Sequence, residues 1–205
     1  MKFVVGLGNP TREYQGTRHN VGFAVLSALR LRWKLDEGRK AFGGRFNDAG
    51  LLGPHAVTRV FLLEPHTYMN RSGQAVREML AFYKANCDQV LIVLDDMALA
   101  LGRIRARTGG SPGGHKGLGD VQRALGTDQV PRLRIGIGSP DWPIDSTDYV
   151  LGRFRPDEIE TIDQAVHQAA KAVEDWACKG LAYVMNQYNP KSENGNERKA
   201  NGNQE

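Results

Sequence analysis

Short apolar runs separated by glycines and polar turns divide the chain into alternating elements. Residues 2–7, 56–63, 90–94 and 132–137 are rich in valine, isoleucine, leucine and phenylalanine and predict strands. We expect the second and third runs to be buried. Residues 103–107 alternate arginine with apolar residues, which is the spacing of a strand with every arginine on one side.

Other segments have the spacing of helices, with apolar residues recurring every three or four positions. Residues 21–34 and 116–125 predict helices, the second entered through glycines, and residues 156–177 predict a long helix beginning Pro-Asp-Glu. A further helix begins near Ser72, which is placed to cap it. The residues expected on its buried face are Ala75, Val76, Met79, Leu80 and Tyr83. Because strands and helices interleave, we predict an α/β fold.

Length and composition favour one globular domain. The chain has 205 residues, of which 40% are hydrophobic and 24% are charged. We expect a domain over residues 1–188 and a disordered polar tail over 189–205, where almost nothing is apolar. No apolar run approaches the roughly 20 residues of a membrane helix, and the start lacks a secretory core, so we expect a cytoplasmic protein with no membrane segment. Cys87 and Cys178 lie far apart without neighbouring histidines, which argues against a disulfide framework and a zinc site.

Charge is polarised along the chain. The net charge is +4, which an ordinary solvated surface could produce. Residues 101–134, however, contain seven basic and two acidic residues, whereas residues 135–175 contain nine acidic and three basic ones. The basic part indicates a polyanionic partner.

The first candidate site follows the first strand. G-L-G-N-P at 6–10 precedes Tyr14 and T-R-H-N at 17–20. A glycine turn after a strand suggests a dinucleotide site, but Thr11 replaces the last glycine of that fingerprint and Pro10 removes a backbone donor. A nucleotide-dependent oxidoreductase is therefore disfavoured. Asn9 and His19 remain candidates for an active site, the alternatives being a turn asparagine and a surface or capping histidine.

Three further clusters carry candidate chemistry. In the loop E-P-H-T-Y-M-N-R-S-G at 64–73, Tyr68, Met69 and Asn70 suit binding of a nucleotide or a peptide end, the alternative being a simple turn. Asp95 and Asp96 end a buried strand, where a carboxylate can orient a histidine; metal binding is the rival interpretation.

The last cluster is glycine-rich. G-G-S-P-G-G-H-K-G-L at 109–118, with Arg107 and Lys116 beside it, indicates a phosphate site. It is not a nucleotide-hydrolysing P-loop, because Gly117 follows Lys116 where serine or threonine is required.

Together these clusters resemble bacterial-type peptidyl-tRNA hydrolase. The similarity runs from residue 3 to about residue 188. Its motifs are G-L-G-N-P, Y-x-x-T-R-H-N-x-G-F, P-x-T-Y-M-N-x-S-G, L-D-D, G-G-S-x-G-G-H-x-G-L, R-L-R-I-G-I-G and Y-V-L-G-R-F. The resemblance implies a monomeric single-domain α/β enzyme with a mixed twisted sheet flanked by helices. It also implies hydrolysis of the ester between a peptide and the 3′ end of tRNA, without a metal or another cofactor.

The resemblance also implies roles for individual residues. On that basis His19 is the general base that activates water, Asp95 stabilises its protonated form, and the amides of Asn9 and Asn70 stabilise the oxyanion. The residues expected to bind tRNA or the peptide are Tyr14, Tyr68, Met69, Asn70, His115 and Lys116. Arg107 and Arg134 fall where the family carries basic residues that clamp the 5′ phosphate of tRNA.

Some positions depart from the family pattern. Lys116 stands where many members have an asparagine that binds the tRNA end and positions water, and a lysine can only donate hydrogen bonds. Thr11, Ala98 and Ala100 also differ. These departures leave open a catalytically silent RNA-binding relative of the same fold, although a binding protein has no physical need for a paired base and carboxylate.

Overall fold

The protein is described by a computed structural model covering residues 1–52, 58–140 and 145–189. The strands and helices follow each other in this order: β1 (Lys2–Gly6), α1 (Val21–Arg32), β2 (Arg39–Ala41), β3 (Gly44–Leu52), β4 (Thr58–Pro65), α2 (Ser72–Tyr83), β5 (Val90–Asp96), β6 (Ile104–Arg107), α3 (Lys116–Leu125), β7 (Arg132–Gly136), α4 (Ser146–Leu151), α5 (Pro156–Lys179) and α6 (Leu181–Tyr188). Short 3₁₀ turns at Arg12–Tyr14, Arg18–Asn20, Met69–Arg71 and Cys87–Gln89 connect some of them.

The described strands form one mixed sheet in the order β2-β3-β4-β1-β5-β7-β6. Strands β4, β1, β5 and β7 are parallel, whereas β2 and β3 at one end and β6 at the other run antiparallel to their neighbours. The predicted α/β class with a mixed sheet is confirmed.

Two hydrophobic cores cover the two faces of the sheet. Helices α1, α5 and α6 pack on one face, where Trp176 is almost fully buried. Helices α2 and α3 pack on the other face, where Phe3 and Phe61 stack with ring centroids 5.1 Å apart. Because successive side chains of a strand point to opposite faces, strands buried on both sides have the nearly continuous apolar runs found in β4 and β5.

Strand β1 lies between β4 and β5, so the chain runs to one side of β1 before crossing to the other. In open α/β sheets such a reversal leaves a crevice at the carboxyl ends of the strands, where ligands bind. Asn9 follows β1, Tyr68 follows β4, and Asp95 is the last residue but one of β5. The fold therefore brings three of the sequence clusters to one place.

Most predicted elements are found within a few residues of their expected bounds. Residues 56 and 57 of the second predicted strand lie outside the described residues. The capping role expected of Ser72 is wrong: Ser72 is already the first helical residue, and its Oγ donates to the carbonyl oxygen of Met69 at 3.0 Å. The hydroxyl of a serine that follows a 3₁₀ turn can donate to a carbonyl of that turn instead of accepting from a backbone N–H of the helix.

The hairpin β2–β3 and the helices α4 and α6 were not expected from the sequence. Residues 39–52 are mostly charged, polar or small, so they lack the apolar alternation that marks a strand. A bulge between Asp48 and Leu51 also shifts the register of β3. Helices α4 and α6 have only 6 and 8 residues, too few to establish a helical period.

Asn189, the last described residue, pairs with one residue on the β6 edge of the sheet. The Asn189 side chain accepts from the Ala106 backbone N–H at 2.7 Å and donates to the Ala106 carbonyl at 3.1 Å, as a neighbouring strand would. The remainder of the expected tail, 190–205, lies outside the described residues. Within the described ranges, no helix has the length and apolar character required to span a membrane.

Candidate active site

His19, Asp95 and His115 form the centre of the crevice. Asp95 Oδ1 lies 2.8 Å from His19 Nδ1 and 3.0 Å from His115 Nε2. The two imidazole rings are 4.9 Å apart between centroids. Asp95 is 3% exposed, so its carboxylate is shielded from solvent and depends on these two partners. The pairing of His19 with a strand-end carboxylate agrees with the arrangement expected from the sequence.

The hydrogen bond made by His115 Nδ1 determines which ring nitrogen carries the proton. His115 is the N-cap of α3, and its Nδ1 accepts the backbone N–H of Leu118 at 3.1 Å. Nδ1 therefore carries the lone pair and Nε2 carries the proton that is donated to Asp95. Asp95 Oδ1 accepts from both rings, which leaves Nε2 of His19 as the nitrogen without a hydrogen-bond partner among the described residues.

These contacts keep Asp95 ionised. Burial alone would raise the pKa of Asp95, but its electrostatic and hydrogen-bond interactions with His115 and His19 outweigh it. The pKa of Asp95 therefore lies well below the ordinary value for an aspartate. A carboxylate that stays charged can stabilise an imidazolium as it forms.

The same three side chains are spaced closely enough to hold a metal ion, since one ligand atom from each lies within 4.8 Å of the others. The hydrogen-bond pattern argues against that use. A metal on His115 Nε2 would place the ring proton on Nδ1, where it would face the N–H of Leu118. Two donors would then oppose each other at the start of α3. The residues therefore fit a hydrogen-bonded base and carboxylate better than a metal centre.

His19 is positioned by its neighbour Arg18 in the 3₁₀ turn before α1. The Arg18 guanidinium pairs with Glu158 of α5 at 2.6 Å, and both side chains are less than a tenth exposed. The rings of Tyr149 and Phe154 lie 4.5 and 5.1 Å from the guanidinium carbon. The backbone N–H of Arg18 also donates to the Gly152 carbonyl at 2.9 Å. Arg18 and Glu158 were missed from the sequence because nothing local indicates that these charges are buried.

The orientation of the Asn9 amide is fixed from several sides. Its Oδ1 accepts the backbone N–H of Met69 at 2.9 Å. Its own backbone N–H and C=O are paired with the Asn20 side chain, both at 2.9 Å. Because Oδ1 is occupied, the Nδ2 group of Asn9 is the part of the amide left to donate into the crevice.

The loop after β4 places three predicted residues around Asn9. Tyr68 has φ 60° and ψ 159°, a conformation that a side chain with a Cβ adopts only under strain. Tyr68 is 49% exposed, and Asn70 is exposed beside it. Met69 is buried against Gly117 of α3, where an added Cβ would lie 2.3 Å from the Met69 sulfur. Glycine at 117 allows this close approach, since a larger residue would displace the Met69 side chain.

A cleft of about 860 Å³ extends from the crevice along the face of β7 and β6. The predicted residues that line it are Asn9, His19, Tyr68, Met69, Asn70, Asp95, Arg107, His115, Lys116 and Arg134. Tyr14 is half-buried and does not line it. Helix α4 forms the opposite wall through Ser146, Thr147, Val150 and Leu151.

Arginines give the far end of the cleft its positive charge. In β6 the apolar residues Ile104 and Ala106 are buried, so the alternate arginines share the other face, as expected. Arg134 pairs with Asp96, and Arg107 is exposed. Arg132, which sequence reasoning missed, is buried and donates to the carbonyls of Val130, Asp128, Gly110 and Ser111, so it supports the glycine-rich loop.

Comparison with known proteins gives one consistent result. The family model described as Peptidyl-tRNA hydrolase matches residues 3–197. A peptidyl-tRNA hydrolase of Rhodopirellula baltica is 43% identical over 192 residues, which cover 94% of this chain and 99% of the relative. One from Geobacillus kaustophilus is 44% identical over 189 residues, covering 92% and 100%. The crystal structure of peptidyl-tRNA hydrolase from Acinetobacter baumannii aligns with a TM-score of 0.82 at 36% identity, covering 92% of this chain and 94% of that one.

Proposed function

The chain belongs to the peptidyl-tRNA hydrolase family, and we propose that the cleft around His19 and Asp95 is its active site. The enzyme hydrolyses the ester between a peptide and the 3′ end of tRNA. The observation that carries this assignment is the buried Asp95 carboxylate, 2.8 Å from His19 Nδ1, at the crevice where Asn9 also presents an amide donor.

His19 acts as the general base. Asp95 accepts the Nδ1 proton, so Nε2 holds a lone pair and can remove a proton from water. The water oxygen then attacks the ester carbonyl carbon. As the tetrahedral intermediate collapses, the bond to the 3′ oxygen of the ribose breaks and His19 returns the proton to that oxygen. Asp95 stabilises the positive charge that the ring carries between the two steps.

Asn9 supplies a donor for the developing oxyanion. Its Nδ2 group is fixed because Met69 N–H holds the other end of the amide. A preorganised donor of this kind stabilises the transition state without reorganising as the charge develops. Asn70, exposed in the same loop, is the second donor. Tyr68 and Met69 provide a ring and an apolar surface for the peptide or the terminal nucleotide.

The basic end of the cleft binds tRNA. Arg107 is exposed there, and Arg134 lies beside it. Phosphate contacts give affinity and orientation without base recognition, which suits an enzyme that acts on many tRNAs. The proposal includes a single domain, a monomer in the cytoplasm and a reaction without metal. Tyr14, outside the cleft, remains a predicted tRNA contact on the strength of the resemblance.

The catalytically silent RNA-binding alternative is not favoured. An RNA-binding surface needs the arginines but not a buried base and carboxylate, whose desolvation costs stability. That pair lines the same cleft as the fixed amide of Asn9, and this supports a catalytic role.

Peptide release from an N-acetylaminoacyl-tRNA tests the function. We expect the wild type to cleave it in the presence of a chelator, and the same tRNA with a free amino group to be spared. His19→Ala should lose activity by at least about a hundredfold, the contribution typical of a general base. His167→Ala, on α5, is the matched control and should keep wild-type activity. A His19→Ala variant with full activity would refute the mechanism, and a wild type that binds tRNA but cleaves neither substrate would refute the function.

A further inference from the structure

Two basic side chains in the cleft form no ion pair with the residues that the structure describes. The charged residues that line the cleft, apart from the histidines, are Arg107, Lys116, Arg132, Arg134, Asp95 and Asp96. Both carboxylates are occupied, Asp95 by the imidazoles and Asp96 by Arg134. Arg132 is occupied by backbone carbonyls. In the part of the chain that the structure describes, Arg107 and Lys116 therefore remain without a hydrogen bond or an ion pair.

Lys116 is the one of these two that lies beside the reacting groups. It follows His115 directly in the chain, and His115 Nε2 is 3.0 Å from Asp95 Oδ1. Lys116 is exposed and lines the cleft opposite Ser146 and Thr147 of α4. Lys116 therefore lines the same cleft as His19 and is available to an anionic part of a substrate bound there.

The nucleotide that carries the ester offers one anionic group, which is its 5′ phosphate. The ester itself is neutral, and the ribose that carries it is joined through its 5′ oxygen to the last phosphodiester of the tRNA. A lysine ammonium is a compact charge that donates hydrogen bonds and does not accept them, so it suits a phosphate. Arg107, farther along the cleft, is left for phosphates more distant from the ester.

We propose that Lys116 binds the phosphodiester that joins the last two nucleotides of the tRNA, an inference that rests on the proposed function. The charge of that phosphate is then a determinant of substrate specificity. The asparagine found here in many members of the family could donate a hydrogen bond to the same oxygen but could not neutralise it.

Asp145 is an acidic group that interacts electrostatically with Lys116. Hydrogen bonds from Thr147 hold the pKa of Asp145 below its ordinary value, and attraction to Lys116 contributes. Asp145 is fully exposed, so water screens its attraction for Lys116. We therefore expect a phosphate bound within the cleft to interact with Lys116 more strongly than Asp145 does.

The test pairs a change in the protein with a change in the substrate. N-acetylaminoacyl-tRNA is prepared with its last phosphodiester replaced by a neutral methylphosphonate, and kcat/KM is compared with that for the natural substrate. We expect the wild type to lose about tenfold on the neutral substrate, the size of one charge-assisted contact. Lys116→Asn should lose about the same amount on the natural substrate and nothing further on the neutral one. Lys116→Arg should restore the discrimination.

Two controls isolate the contact. A methylphosphonate placed five linkages from the 3′ end should weaken the wild type and Lys116→Asn by equal factors. Lys171→Asn, on α5 at the other face of the sheet, should behave as the wild type does with both substrates.

Two results would overturn the assignment. One is a wild type whose kcat/KM does not depend on the charge of the last phosphate. The other is an equal loss by Lys116→Asn on both substrates, which would mean that the two changes act independently and that Lys116 acts at the ester instead. A wild type that cleaves no peptidyl-tRNA would refute the proposed function, which is a separate outcome.

Discussion

His115 donates its Nε2–H to Asp95 Oδ1 at 3.0 Å while the same oxygen accepts from His19. His115 therefore acts on the base through the carboxylate that they share. His115→Asn keeps a side chain that can cap α3 but cannot reach Asp95. We expect kcat to fall about tenfold, because Asp95 loses one of its two donors and is held less firmly.

A double-mutant cycle separates this positioning role from general damage. In an Asp95→Asn background, His115→Asn should change kcat by less than about twofold, because the partner is already altered. The melting temperature is measured for each variant alongside kcat. Independent, multiplying losses would show that His115 acts by another route.

Asp95 should also affect how stability depends on pH. Its pKa is lowered in the folded protein, so at acid pH the unfolded chain takes up a proton that the native carboxylate does not. The stability contributed by the ionised group is complete above the unfolded pKa, near 4, and is lost as the pH falls below it.

Urea unfolding from pH 7 to pH 3 measures this effect. Below about pH 4 the wild type should lose up to about 1.4 kcal/mol per pH unit more than Asp95→Asn, which cannot titrate. Parallel curves for the two proteins would contradict the shift.

Tyr68 should reverse the usual ranking of alanine and glycine. At φ 60° and ψ 159° a Cβ is strained, whereas glycine is not. We expect Tyr68→Gly to be more stable than Tyr68→Ala by about 1 kcal/mol or more. Both should lower kcat/KM, since both remove the exposed ring. Chemical denaturation gives the ranking, and an alanine variant as stable as the glycine one would show that the loop relaxes without the ring.

Arg107 should contribute to tRNA affinity through charge alone. Arg107→Ala is expected to reduce the slope of log binding constant against log salt by about one, the value for one lost phosphate contact. kcat at saturating substrate should be unchanged. Arg77→Ala, exposed on α2, is the control. A weaker binding constant with an unchanged salt slope would mean that Arg107 does not contact a phosphate.

The proximity of Asn9, His19 and Asp95 could be predicted because the carboxyl ends of neighbouring parallel strands meet at one edge. The contact of Asp95 with its second partner, His115, could not be predicted. His115 reaches it from the start of α3, which packs closely on Met69 at Gly117, a contact that no local pattern encodes. Burial of the Arg18 and Glu158 charges runs against the usual preference of those residue types and emerges only when α5 covers the turn.

The side-chain amide of Asn189 takes the place of a neighbouring strand at Ala106, 83 residues earlier in the chain. An unpaired strand edge is a template for association with other chains. Because Asn189 comes so late in the chain, the backbone N–H and C=O of Ala106 have no such partner during synthesis until residue 189 has left the ribosome. Until then this position on β6 is open to pairing with another chain.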